Sequence, residues 1–348
     1  MKLLLLNTDL EIGGTPTVVR ELARRLPEHG VETSVACLGR VGPVAEQIAG
    51  DGIDVTAFDV RPRQILRGVS RLRALVDELQ VDAVLSFLVH ANTVAAMASK
   101  KRPDVAWWQS IQTTQPNPRW HWRVQEWAAK KARGVIVPSR AIAEAATDRS
   151  HVPTGSLHVL PNGIDAETIV DQPATRLGER LQIGFVGRLD PVKNLGLLLA
   201  IAQARPDYDV HIFGDGPQRE TIEFIVADRQ LLNVRLHGFR PREGALAEID
   251  LLVLPSHHEG FGLVLIEAMA AGVAVIGSGI PGIDEVIRHC ETGRLVHSTD
   301  AYEWADAIDE LNDDALRTRY AMEALQDVRE RFTWQQIVPR YAKLLTHT

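Results

Sequence analysis

Short continuous apolar runs recur along this chain, and the stretches between them carry apolar residues at helical spacing. In the first half the runs fall at residues 3–6, 32–38, 55–60, 83–87, 105–108 and 135–137. Between the first two, "TVVRELARRL" places Val19, Leu22, Ala23 and Leu26 on one face. Between the third and fourth, "ILRGVSRLRALVDEL" does the same with Ile65, Val69, Leu72, Leu75, Val76 and Leu79. A strand that is apolar on both faces must be covered on both, and an amphipathic helix after each strand supplies that cover. The pattern predicts α/β architecture with doubly wound parallel sheets.

The rhythm breaks at residues 160–182, "LPNGIDAETIVDQPATRLGERLQ", where proline, Asn-Gly and polar residues cluster. It restarts with runs at 183–186, 210–213, 234–236, 251–254 and 274–276. A chain of 348 residues exceeds a single core. The division expected is a Rossmann-like domain over 1–165, a second over 166–330, and a terminal helix over 331–348. That helix, "FTWQQIVPRYAKLL", is apolar at Phe332, Trp334, Ile337, Val338 and Tyr341.

Composition removes several classes. No apolar run approaches the ~20 residues that span a bilayer. The opening "MKLLLLNTDLEIGG" is too short in its apolar part for a signal peptide and reads as a first strand, so the expected location is cytoplasmic. Cys37 and Cys290 adjoin apolar runs and read as buried free thiols. Residues 1–165 hold 20 basic and 17 acidic side chains, and residues 166–348 hold 18 and 28, an acidic half that argues against nucleic-acid binding.

The chemistry concentrates at 256–277, "SHHEGFGLVLIEAMAAGVAVIG". A strand at 251–254 leads through a glycine turn into a helix predicted over 263–271. Glu259 and Glu267 flank the turn with seven residues between them. The amides of Gly262, Leu263 and Val264 at the helix start form an anion site that glycine opens to a phosphate. Glu267 lies one turn further on the same face, placed for hydroxyls such as those of a ribose. Glu259 would repel a phosphate and suits a neutral polyol. In "FVGRLDPVKN", Arg188 and Lys193 surround a turn at the same sheet edge, where two cations neutralise a diphosphate and stabilise it as a leaving group. Surface pairing with local acids such as Asp190 is the plainer reading of both. In "DLEIGGTPTVV", Gly13 and Gly14 precede a helix without the spacing of a dinucleotide site.

Together these features resemble the retaining nucleotide-sugar glycosyltransferases of two-Rossmann, GT-B architecture, family 4-like, over nearly the whole chain. "EGFGLVLIE" resembles that family's E-x7-E motif. "GRLDPVKN", "GDGP" (214–217), "HGF" (237–239), "PSRAIAE" (138–144) and "LPNGID" (160–165) follow in the family's order. The resemblance implies two domains facing across a cleft, with the last helix returned to the first. It implies that Arg188 and Lys193 hold the donor diphosphate and that Phe239 and Arg240 line the base pocket. Glu267 would take the ribose. Glu259, with the amides of Gly260, Phe261, Gly262, Leu263 and Val264, would take the sugar and phosphates. A nucleoside-diphosphate sugar is then the donor, with no obligatory cofactor, and a glycan or lipid-linked hydroxyl the acceptor. Attack from the face of departure, with a donor phosphate oxygen taking the acceptor's proton, needs no protein nucleophile. A nucleotide-sugar epimerase and a non-catalytic sugar-nucleotide binder share this architecture.

The sequence departs from the family at "VAWWQSIQ", where the usual acceptor-side histidine is replaced by Gln109 and Ser110. Gln109 hydrogen-bonds but cannot move a proton. His90, at the same sheet edge, is either its substitute or a structural histidine. Residues 107–133 hold five of the seven tryptophans, interleaved with Arg119, Arg123, Lys130, Lys131 and Arg133. Such a stretch suits peripheral membrane contact, sugar stacking, or packing between helix and sheet. "DYD" at 207–209 precedes a strand and reads as a turn, and no His, Cys and carboxylate cluster has metal-ligand spacing.

Overall fold

The computed structural model describes residues 1–61, 64–113 and 118–347. Two compact units divide it, one of Met1–Gly163 with Trp334–Thr348, the other of Ile164–Thr333.

The first unit is built on β1 (Lys2–Asn7), β2 (Glu32–Cys37), β3 (Val55–Ala57), β4 (Ala83–Phe87), β5 (Ala106–Ser110), β6 (Gly134–Val137) and β7 (Leu157–Val159). They form one parallel sheet in the order 3-2-1-4-5-6-7. The run "LLLL" in β1 serves both faces. Leu3 and Leu5 join Val18, Leu22 and the terminal helix in one core, and Leu4 and Leu6 join Val69, Leu72 and Val76 in another. Strand order reverses between β1 and β4, which opens a crevice at their carboxyl ends.

The second unit holds β8 (Gln182–Val186), β9 (Asp209–Phe213), β10 (Val234–Gly238), β11 (Leu251–Leu254), β12 (Ala274–Ser278) and β13 (Arg294–Val296). Their parallel order is 10-9-8-11-12-13, with the reversal between β8 and β11. One continuous core covers both faces of this sheet. The helix Leu263–Ala270 buries Leu265, Ile266, Ala268 and Met269 in it.

The chain leaves the first unit after Gly163 and returns at Trp334. Phe332 packs in the core of the second unit, whereas Trp334, Ile337, Val338, Tyr341 and Leu345 of the helix Trp334–Thr346 pack in that of the first. Gly163 is glycine for contact, because a Cβ there would lie 2.9 Å from the Trp334 ring. The thiol expectation needs one correction. Cys37 is buried, which pushes its thiol up to about 11, but Cys290 is exposed on a turn at φ 63°.

Candidate functional site

In the second unit the reversal of strand order gathers the loops after β8 and β11. The loop after β8 runs through the 3-10 turn Pro191–Lys193 into the helix Leu195–Ala204. The His257 amide donates to the Val192 carbonyl at 2.8 Å and ties the two loops together. Lys193 Nζ then donates to Glu259 Oε2 at 2.6 Å, both side chains being largely buried, and Ser256 Oγ lies 3.4 Å from the same oxygen. The Glu259 carboxylate is thus neutralised by Lys193.

Glycines bring neighbouring loops into contact. Gly214, φ 138°, lies so close to the β8 loop that a Cβ would sit 1.8 Å from the Gly187 carbonyl oxygen. After β12, a Cβ on Gly282 would lie 2.6 Å from the Glu259 carbonyl oxygen. Gly262, at φ 70°, turns the chain into the helix Leu263–Ala270, whose first amides face outward at the strand ends. Phe261 contributes backbone only, since its ring is buried edge-on to Phe332 at 5.8 Å.

Glu267 sits one turn into that helix. One carboxylate oxygen pairs with Arg242, and the other, Oε2, is buried without a hydrogen-bond partner. Burial pushes its pKa above the usual glutamate range, and Arg242 pulls it part of the way back. An orphaned buried acceptor costs about 1–3 kcal/mol, so it marks a place where a donor is missing. Arg242 escaped the sequence reading because its helix, Arg242–Leu246, is too short to show a period.

The remaining candidates are looser. Arg188 is 71% exposed and pairs with Asp190 at 2.9 Å, the local pairing weighed above. Phe239, 68% exposed, follows Gly238 at the end of β10, and Arg240 pairs with Glu248. The pairing of β9 with β10 brings His211 beside His237, and Glu248 lies within reach of both, a grouping that spacing along the sequence does not show. "DYD" is the expected turn, with the buried Tyr208 donating its hydroxyl to Asp309 at 2.6 Å.

The first unit has a cavity of about 350 Å³ at its own strand reversal, lined by Thr8, Asp9, His90, Gln112, His121 and Trp122 among others. Leu88 on its wall is held at φ 68°, a conformation that disfavours a bulky side chain and signals a constrained site. His90 meets His121 edge-on at 5.5 Å, and burial, then His90, holds His121 below the usual histidine range. Thr8 Oγ1 and Trp122 Nε1 are buried without partners. Gln109 is absent from this lining. Its amide donates to Ala128 O at 2.8 Å and its oxygen accepts from Gln125 at 3.0 Å, so the candidate polar groups move to Ser110 and Gln112. Gly13 and Gly14 open the helix Gly14–Arg25, outside the cavity lining. Of the tryptophan-rich stretch, residues 114–117 lie outside the described residues. Trp107, Trp108 and Trp122 are core, and Trp120 and Trp127 are 56% and 37% exposed.

Two family models match the chain end to end with each other, Glycosyltransferase Family 4 over residues 12–168 and Glycosyl transferases group 1 over 168–327. The two matches together span residues 12–327, and the pair of parallel-sheet domains has the GT-B fold. D-inositol 3-phosphate glycosyltransferase from Thermobispora bispora is 25% identical to this chain, over 97% of the chain and 90% of that protein. Glycogen synthase from Mycobacterium tuberculosis is 30% identical over 64% of the chain, which spans 56% of that protein's length. Among solved structures, Anabaena HepE in complex with UDP-glucose superposes with a TM-score of 0.88 at 22% identity over all of both chains. Sucrose-phosphate synthase from Thermosynechococcus elongatus gives 0.84 at 21%, covering 99% and 98%.

Proposed function

We propose that the chain moves a hexose-type sugar from a nucleoside diphosphate to a hydroxyl of a glycan or lipid-linked acceptor, with retention at the anomeric carbon. The observation that carries this reading is the unpartnered buried oxygen of Glu267, one helical turn beyond the glycine start and the Lys193–Glu259 pair. A ribose hydroxyl supplies the missing donor. The diphosphate then lies on the amides of Gly262, Leu263 and Val264 with Lys193 and Arg188 beside it, and Phe239 and Arg240 meet the base. Uridine diphosphate is the first candidate, since HepE crystallises with UDP and with UDP-glucose.

In the reaction the acceptor oxygen bonds to the anomeric carbon as the bond from that carbon to the phosphate oxygen breaks. The electron pair leaves on the diphosphate, where Lys193 and Arg188 hold the growing charge. The acceptor's proton passes to a donor phosphate oxygen. Glu259 orients the sugar hydroxyls and does not attack. The cavity of the first unit receives the acceptor. No lysine or arginine lines it among the described residues, and one carboxylate, Asp9, does. It therefore suits an uncharged hydroxylated ring better than a phosphorylated one, unlike the acceptor for which the Thermobispora relative is named. A lipid-linked acceptor would place Trp120 and Trp127 against a membrane surface.

A thermal-shift panel of uridine, guanosine, adenosine and thymidine diphosphates, NAD and the common sugar conjugates tests this reading. A ligand at 100 times its dissociation constant adds about 2.7 kcal/mol, and one nucleoside diphosphate is expected to do so. Glu259→Gln is expected to keep that shift and lose transfer. Absence of any shift in folded protein, or full transfer by Glu259→Gln, overturns it.

A further inference from the structure

We propose that His211, His237 and Glu248 form a binding site for one divalent transition-metal ion of the zinc type, at the edge of the sheet in the second unit. The three offer ligand atoms within 4.8 Å of one another. His211 lies on β9 and His237 on β10, and the register between these strands slips between Leu236 and Gly238. His237 is the residue at the slip. The irregularity re-aims its ring, which stacks on Phe213 at 4.4 Å and lies 5.1 Å from the ring of His211.

The hydrogen bonds around His211 fix which of its nitrogens is bare. The Gln182 amide nitrogen donates to Arg180 O at 2.9 Å and to Asp209 Oδ2 at 3.2 Å, so its oxygen faces His211 Nε2 at 2.8 Å. Only an N–H can meet that oxygen, so Nε2 carries the proton and Nδ1 presents a lone pair. Nδ1 points at His237 Nε2, 2.9 Å away. This is how metal-binding histidines are commonly held, with the second ring nitrogen donating to an oxygen that sets tautomer and orientation.

Two nitrogens about 2.1 Å from one tetrahedral ion stand about 3.4 Å apart, so the rings must part by about half an ångström and tilt until both lone pairs meet at the ion. His237 then turns its N–H to Nδ1, and no proton is lost from the pair. Glu248 closes the third position from the exposed side, shared with Arg240, and water takes the fourth. Two imidazoles and one carboxylate favour zinc, cobalt, nickel or copper over magnesium or calcium. The ion would clamp the edge strand β10 to β9, just before Phe239.

The test uses untagged, chelator-stripped full-length chain, with zinc chloride titrated against a chromophoric chelator and cobalt(II) absorption as a second reading. One equivalent of zinc is expected. His237→Asn and Glu248→Gln should each weaken it at least tenfold, and Gln182→Leu about 10- to 100-fold. Circular dichroism and metal-free Tm report whether each variant is folded, and Glu248, being only half-buried, keeps the test available if a histidine variant is not. Absence of saturable zinc uptake, or one equivalent bound unchanged by Glu248→Gln and His237→Asn, overturns the assignment.

Discussion

Replacing Glu267 by alanine should separate nucleotide binding from stability. In the free protein its buried Oε2 has no donor, and its other oxygen holds Arg242, a side chain about half exposed. The truncation removes an unsatisfied acceptor that costs about 1–3 kcal/mol, and Arg242 can turn to water. Alanine is also at least as good a helix former as glutamate. Stability should therefore change by no more than about 1 kcal/mol. Affinity should fall by the worth of a charged hydrogen bond, about 1.5–3 kcal/mol, or roughly 10- to 150-fold in Kd. Calorimetry with the nucleotide found in the panel and with its 2′,3′-dideoxy analogue assigns the loss to the ribose. Wild type should discriminate between the two by that factor, and the variant should scarcely distinguish them. A variant that still discriminates fully, or whose Kd stays within twofold of wild type, refutes the ribose contact. Burial raises the Glu267 pKa above the usual glutamate range, so the fold takes up this proton more readily than the unfolded chain does. As pH falls through that raised value, the free protein should gain stability from this group while nucleotide affinity declines.

Other perturbations test separate parts of the structure. Gly214→Ala, whose Cβ would collide with the Gly187 carbonyl at φ 138°, should lose more than about 3 kcal/mol, whereas Gly196→Ala, with open space around its Cβ, should gain about 0.4–1 kcal/mol. Urea midpoints of both decide it, and equal midpoints would remove the packing argument. Burial holds His158 below the usual 6.5, so the unfolded chain binds a proton that the fold refuses, and stability should fall as pH drops below about 6.5. His158→Gln should lose less stability than wild type between pH 7.5 and 5.5, and an equal loss contradicts it. Trp120→Ala with Trp127→Ala should lower co-sedimentation with anionic vesicles severalfold without changing activity on a soluble acceptor; unchanged co-sedimentation rules out membrane contact through this face.

The parts of the fold legible in the sequence were those where burial on both faces left unbroken apolar runs. β1, with alternate leucines feeding two cores, is the clearest case. β7 and β13 left no such trace. Each has three residues at a sheet edge, and His158 and Arg294 interrupt their apolar character. The Lys193–Glu259 contact was half legible. Local spacing placed each residue at the carboxyl edge, but their pairing depends on β8 and β11 being neighbours at the reversal of strand order. Gln109 misled because residue type alone does not show that Gln125 and Ala128 occupy both ends of its carboxamide. Arg242 and the histidine pair arise from tertiary neighbours, and short-range periodicity carries no information about those.

The terminal helix has a consequence for the order in which the molecule can be finished. The second unit is continuous from Ile164 to Thr333, whereas the first takes Trp334, Ile337, Tyr341 and Leu345 into its core from the far end of the chain. A ribosome that has synthesised the whole of the first sheet has still not supplied the side chains that close one of its faces. The half made first is therefore completed last. Until those side chains are supplied it keeps an uncovered apolar surface beside Leu3, Leu5 and Val18, and in that interval chaperone capture would act on it most strongly.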